Sequence, residues 1–206
     1  MKTKNVLILL TTVVVVLTVF YSFREDGDQA AYTETLQKER HEKDQFMRTS
    51  AESPFSKDRE SFTGLKYYPP NPKLRVVANL TPVNDKTVRV LTTNDGKEQR
   101  YITYAYVEFD LENAHNKLLV LEGIDIGPVR GQLFLAFGDN TSARETYGGG
   151  RYLDVAKVPG SKTMLLDFNK SYNPYCAYSE DYSCPLPPPE NLLETTINAG
   201  EKKYHE

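Results

Sequence analysis

The sequence predicts a mainly β (α+β) protein: an antiparallel sandwich or barrel-like sheet, with an amphipathic helix before it and a short helix after it. Three observations lead there. Seven runs rich in β-branched and aromatic residues follow one another between Leu74 and Phe168, turn residues separate them, and no helix-length segment intervenes. The run from Tyr101 alternates cleanly. Its pattern places Tyr101, Thr103, Ala105, Val107 and Phe109 on one face and Ile102, Tyr104, Tyr106 and Glu108 on the other.

In chain order, the first element is an apolar run. Asn5 to Phe23 carries no charge, and as a helix it would be about 28 Å long, enough to span a bilayer. Lys2 and Lys4 precede it, and Glu25, Asp26 and Asp28 follow it. The positive-inside rule then keeps the N-terminus in the cytoplasm and puts the body outside. A cleaved signal peptide is the rival, but its apolar core is shorter, and there is no small-residue cleavage pattern around Tyr21–Arg24. The expectation is therefore a signal anchor over 1–23, a single-pass protein of the cytoplasmic membrane, and a periplasmic body. That body consists of a linker and helix over 24–52 and a single β-rich domain over 53–206.

Residues 31–50 lack Gly and Pro and read as helix, with Glu34/Lys38 and Glu39/Lys43 at the i,i+4 spacing that favours opposite charges. Its charged run, His41 included, reads as a solvated face. Ser53-Pro54-Phe55 ends it. The predicted strands are Leu74–Leu80, Thr87–Thr93, Tyr101–Leu111, Lys117–Gly123, Gln132–Gly138, Arg151–Val155 and Thr163–Phe168. Asn94-Asp95-Gly96 forms the clearest hairpin turn. The last element begins at Pro187-Pro188-Pro189-Glu190 and reads as helix through Leu192, Leu193 and Ile197, stopping near Gly200.

Composition narrows function. A formal net charge of −3 over 206 residues, with no cluster of Lys or Arg free of acidic neighbours, argues against nucleic acid as a partner. The segment Thr146-Tyr147-Gly148-Gly149-Gly150-Arg151-Tyr152-Leu153-Asp154, with Asp167-Phe168-Asn169, Asn173–Tyr178 and Cys184–Asn191, concentrates glycine, tyrosine, amides and both cysteines. These pieces, with Ser61–Leu65 and Asp139–Ser142, resemble the bacterial domain-of-unknown-function (DUF) 1684 proteins. The match spans most of the chain beyond the apolar run. Ala143 stands where that pattern leads one to expect glycine. The resemblance implies a shared domain and carries no assigned chemistry, cofactor or catalytic residue.

Cys176 and Cys184 are the only cysteines, and seven residues lie between them. In an oxidising compartment a disulfide would stabilise the fold by about 2 to 3 kcal/mol. A redox-active or metal-binding pair is the rival, but a metal would need two further ligands and no His or Cys lies near, so no metal or other cofactor is expected. Gly148–Gly150 before Arg151 suits a backbone nest and guanidinium fork for an anion; the same glycines also suit a turn or bulge at the start of a strand, with Arg151 paired to a carboxylate. Tyr147, Tyr152, Tyr172, Tyr175, Tyr178 and Tyr182, with Asn169, Asn173 and Asn191, suit a pocket for a sugar or other small polar ligand, and equally suit turns and a covered sheet face. The expected function is a non-catalytic binding or envelope-structural module for a small polar or anionic ligand, with Tyr147, Gly149, Arg151, Asp167, Asn169 and Asn173 shaping the site. The alternative is a hydrolase with paired carboxylates drawn from Asp154, Asp167 and Glu190, or less favourably Ser142 with His115; all three histidines, His41, His115 and His205, lie outside the rich segment.

Overall fold

The computed structural model of the chain describes residues 28–124 and 131–205. The expected anchor over 1–23 lies outside them, and among the described residues no helix is long and apolar enough to cross a membrane. The expected first helix is present as α1, residues 28–49. Its ion pairs are not those the spacing suggests: Lys38 meets Glu42 at 3.9 Å, and Lys43 reaches Glu201 at 2.8 Å. The Ser53 hydroxyl stops the helix by donating to the Met47 carbonyl at 2.6 Å and accepting the Phe55 N–H at 3.1 Å.

The compact unit that carries the sheet begins at Lys43. All seven predicted strands form: β1 (Arg75–Pro82), β2 (Val88–Thr92), β3 (Glu98–Leu111), β4 (Ala114–Gly123), β5 (Leu133–Phe137), β6 (Arg151–Leu153) and β7 (Thr163–Asp167). They make one antiparallel sheet in the order β6-β5-β4-β3-β1-β7, with β2 pairing on β3 beside β1. There is no second sheet to make a sandwich among the described residues. The sheet curls into a half-barrel instead, so that Leu153 of β6 and Leu166 of β7, at opposite ends of the strand order, enter the same core with Phe137 and Phe168. Each large apolar side chain sealed there contributes roughly 1.5 to 3 kcal/mol.

The odd-numbered residues of β3 are buried from Tyr101 to Leu111, as the alternation predicts, yet they do not serve one face. The register with β4 slips between Thr103 and Ala105. Before the slip Thr103 lies opposite Leu121, and after it Ala105 lies opposite Val120. Successive residues of β4 point to opposite faces, and residues directly opposite each other share a face. Tyr101 therefore packs with Leu91, Leu119 and Leu121 on one side of the sheet, while Val107 and Phe109 pack with Leu118 and Val120 on the other. This one-residue bulge gives the sheet two buried faces.

The predicted C-terminal helix is not formed. Only a single 3-10 turn, Pro189–Asn191, appears, and the chain continues as an irregular strap to Glu201. The strap's polar groups are engaged elsewhere: the Leu193 N–H donates to the Gly138 carbonyl at 2.8 Å, and the carbonyls of Ile197, Ala199 and Glu201 all accept from Arg151. A helix would have needed the Leu193 N–H, and the Asn191 carbonyl that accepts the Gly138 N–H at 3.0 Å, for its own ladder. Of the apolar residues that suggested a helix, Leu193 and Ile197 still find the core, whereas Leu192 is exposed.

Candidate functional site

Arg151 opens β6 and is fully buried. One of its terminal nitrogens donates to the carbonyls of Ala199 and Glu201, and the other to the Asp139 carboxylate at 2.7 Å and the Ile197 carbonyl at 3.0 Å. Its planar fork thus ties the strap to the sheet, and no ligand can reach it. The anion reading of Gly148–Gly150 fails for the same reason, and for two more. The Gly150 N–H already donates to the Tyr147 carbonyl, and the charged side chain lining that hollow of about 290 Å³ is Asp139, an acid. The glycines answer to packing: at Gly150, with φ +83°, a Cβ would lie 2.5 Å from Pro187 and 2.8 Å from the Phe137 carbonyl.

The other expected ligand residues are also structural. Asp167 caps the 3-10 turn Phe168–Lys170 and pairs with Arg75 at 3.8 Å. Asn169 exchanges hydrogen bonds with both backbone groups of Asn71, at 2.7 and 2.8 Å. Asn173 holds the Lys202 carbonyl with its side chain and the buried Glu201 carboxylate with its N–H. Tyr178 donates to the same Glu201 carboxylate at 2.6 Å.

The proposed catalytic carboxylates are not brought together. Asp154 accepts from the Tyr172 hydroxyl at 2.8 Å, Glu190 pairs with Arg89 at 3.0 Å on a different surface, and Asp167 is held at its cap. Ser142 and His115 are likewise apart. The Ser142 hydroxyl accepts the Asp139 N–H at 3.1 Å, and His115 meets Asp110 at 2.9 Å on the exposed β3–β4 hairpin. Neither set makes a catalytic constellation.

A different group does converge. A cleft of about 380 Å³ opens on the Tyr101 side of the sheet, framed by β3, β5 and β6 and by the C-terminal loop. Its walls are aromatic. Tyr101 stacks on Phe134 at 4.9 Å, Phe134 meets Tyr152 edge-on at 4.8 Å, Tyr152 meets Tyr172 at 6.0 Å, and Tyr175 meets Tyr182 at 5.1 Å. Several hydroxyls are committed, Tyr152 to the Pro185 carbonyl, Tyr101 to Gln99 and Tyr172 to Asp154. Burial pushes Tyr101 up to about 12 and raises Tyr152 and Tyr172 as well, so these phenols stay neutral. Among the described residues, the hydroxyls of Tyr175 and Tyr182 have no hydrogen-bond partner, and Asp154 is the cleft's charged side chain. Of the six tyrosines considered for a pocket, Tyr152, Tyr172, Tyr175 and Tyr182 line this cleft, and Tyr147 and Tyr178 do not. Gln99, Tyr101 and Phe134 were not legible as cleft residues, because the bulge that turns Tyr101 to this face has no sequence signature.

Cys184 forms part of the cleft wall. It is clamped to the β2–β3 hairpin, its N–H donating to the Asn94 side chain at 2.7 Å and its carbonyl accepting the Asn94 N–H at 3.0 Å. The predicted disulfide is not formed: both cysteines are free thiols, Cys184 buried and Cys176 half-buried. They are nevertheless neighbours, since the Cys176 N–H donates to the Cys184 sulfur at 3.2 Å. The Tyr147 hydroxyl lies 3.7 Å from the Cys176 sulfur. Gly149 allows this, because a Cβ there would come within 2.5 Å of the Tyr147 ring. Of the six expected site residues, Tyr147 therefore sits beside a thiol with Gly149 against its ring, while Arg151, Asp167, Asn169 and Asn173 serve the fold.

Comparison with curated proteins returns no match. Among solved structures, the chain is similar to an uncharacterized protein of Haloarcula marismortui determined by solution NMR. The two share 36% identity over 86% of this chain and 97% of that one, with a TM-score of 0.64. The likeness thus extends to an archaeon. A family model described as "Protein of unknown function (DUF1684)" matches residues 60–202, a span that holds the sheet, the thiols and the strap, and the chain therefore belongs to the DUF1684 family.

Proposed function

We propose that the domain is a non-catalytic binding module whose site is the tyrosine-walled cleft, and that its ligand is a small uncharged molecule with a flat face and hydroxyl groups, such as a sugar ring. The observation that carries this is the run of aromatic rings from Tyr101 through Phe134 and Tyr152 to Tyr172, facing the Tyr175–Tyr182 pair across the C-terminal loop. Ring faces stack on the apolar face of a sugar, and the Tyr175 and Tyr182 hydroxyls and the Asp154 carboxylate suit its hydroxyls. An anion finds no cation among the described lining residues. Flat neutral ligands are therefore favoured over the anions considered from the sequence alone.

The charge asymmetry around the apolar run over 5–23 supports a membrane-anchored, extracytoplasmic placement for this module. Fractionation tests that part, and recovery of the full-length chain in the soluble cytoplasmic fraction would exclude it. The binding reading is tested by thermal shift of the full-length chain with neutral mono- and disaccharides, and with phosphate and sulfate as controls. A folded-state ligand raises the midpoint by mass action. A saturable rise with a saccharide that is lost in Tyr182→Ala supports the reading; no rise with any saccharide removes it.

A further inference from the structure

The two thiols have an asymmetry that packing alone does not require. Cys176 lies in the 3-10 turn Tyr175–Ala177, half-buried, with a phenol hydroxyl directed at its sulfur. Cys184 is buried, and its backbone is fixed by Asn94 on both sides. The Cys176 N–H to Cys184 sulfur bond sets the two side chains against each other without a covalent link. From this geometry we infer that Cys176 and Cys184 are a nucleophile-and-resolving thiol pair, assisted by the Tyr147 hydroxyl, whose substrate is a low-molecular-weight disulfide. The inference stands apart from the cleft's ligand and does not depend on it.

The electrostatics agree with the roles. The hydrogen bond from the Cys184 thiol, and then that from Tyr147, hold the Cys176 thiol below its usual range despite partial burial. Cys184 is held up in turn, chiefly by its hydrogen bond to Cys176 and then by burial. The first of those restraints disappears once Cys176 is joined to substrate, which frees Cys184 to act second.

The Cys176 thiolate, its proton having gone to solvent, attacks one sulfur of the substrate disulfide. That S–S bond breaks, and the first substrate half leaves as a thiolate that takes up a proton. Cys184 then loses its proton to solvent, and its thiolate attacks the Cys176 sulfur of the mixed disulfide. The second half leaves as a thiolate and is protonated. The two cysteines are oxidised to a disulfide, and the substrate disulfide is reduced to two thiols. Tyr147 is a positioning residue here: it steadies the attacking thiolate and exchanges no atom.

The test uses the full-length chain, reduced and then exposed to oxidised glutathione, with free thiols trapped by alkylation and read by intact mass. The wild-type chain is expected to lose both thiols and retain no glutathione, and Cys184→Ser to retain one glutathione on Cys176. Cys176→Ser should react at least about tenfold more slowly than Cys184→Ser. Tyr147→Phe should slow alkylation of Cys176 near neutral pH by up to about tenfold, with the difference vanishing at alkaline pH, a pH dependence that mere loosening would not produce. The inference is overturned if the folded wild-type chain keeps both thiols under conditions in which the urea-unfolded chain loses them. Equal reaction rates for the two single variants would overturn it as well.

Discussion

The side chain of Asn191 acts as a strand partner for Leu119. Its Oδ1 accepts the Leu119 N–H at 2.6 Å, and its Nδ2 donates to the Leu119 carbonyl at 2.9 Å and to the Ala136 carbonyl at 2.7 Å. β4 and β5 pair only at Leu121 with Phe134 and Glu122 with Leu133, so beyond those rungs the backbone of β4 needs another partner. Asn191 supplies it from the strap. Replacing it with Ala leaves one buried donor and two buried acceptors unmet, an expected loss of about 3 kcal/mol by urea denaturation. Asn191→Asp keeps the acceptor, loses the donors and buries a charge, so it should be no better than Ala. A loss below about 1 kcal/mol for both would show that the strap does not support β4.

Arg151 and Asp139 form the second tie between strap and sheet. Arg151→Met preserves apolar bulk but strands the Asp139 carboxylate and removes the donors to Ile197, Ala199 and Glu201. Breaking a buried pair in this way costs about 3 to 5 kcal/mol. Adding Asp139→Asn to Arg151→Met should recover about 1 to 2 kcal/mol, because the stranded charge is gone. Both variants are compared with wild type by chemical denaturation. Full stability in Arg151→Met would return the guanidinium to the list of groups available to a ligand.

These two ties show where sequence reading stops. All seven strands were legible because alternation and turn residues are local signals, and the Asn94–Gly96 turn was read correctly, with Gly96 at φ +78°. What the turn also does, holding Cys184 through Asn94, depends on residues about ninety positions away. The strap failed as a helix for the same reason, since the Asn191 carbonyl and the Leu193 N–H are already paired with Gly138, far back in the chain. The bulge before Ala105 leaves β3 perfectly alternating, so nothing local announced that Tyr101 and Val107 would face opposite ways. Of the site, the tyrosines of the C-terminal loop were readable by composition, and the strand residues behind them were not.

Two turns carry removable strain. Ala143 has φ +64°, a left-handed conformation that costs a non-glycine residue about 1 kcal/mol or more, and it is where the family pattern leads one to expect glycine. The β3–β4 hairpin holds Glu112 and Asn113 at φ +51° and +65°. Ala143→Gly and Asn113→Gly should each stabilise the chain by about 0.5 to 1 kcal/mol in thermal or chemical melts, after allowing for glycine's greater freedom when unfolded. A destabilised Ala143→Gly would mean that its methyl group packs for more than its backbone loses.

The buried phenols set an alkaline limit on stability. Burial pushes Tyr68 and Tyr101 up to about 12 and raises Tyr152, Tyr172 and Tyr178 as well, whereas an unfolded tyrosine titrates near 10. Their folded values lie above their unfolded ones, so the stabilisation is fully present below about pH 10. Above that the unfolded chain binds fewer protons than the folded one, and stability declines as pH rises through 12. Each such tyrosine steepens the decline by up to about 1.4 kcal/mol per pH unit. Urea midpoints measured at stepped alkaline pH should therefore fall, and the tyrosinate absorbance of these residues should appear together with loss of the β-sheet circular dichroism signal. Tyr101→Phe removes one contributor and should make the fall shallower. If the full tyrosinate signal develops near pH 10 while the sheet signal stays intact, these tyrosines are open to solvent and set no alkaline limit on stability.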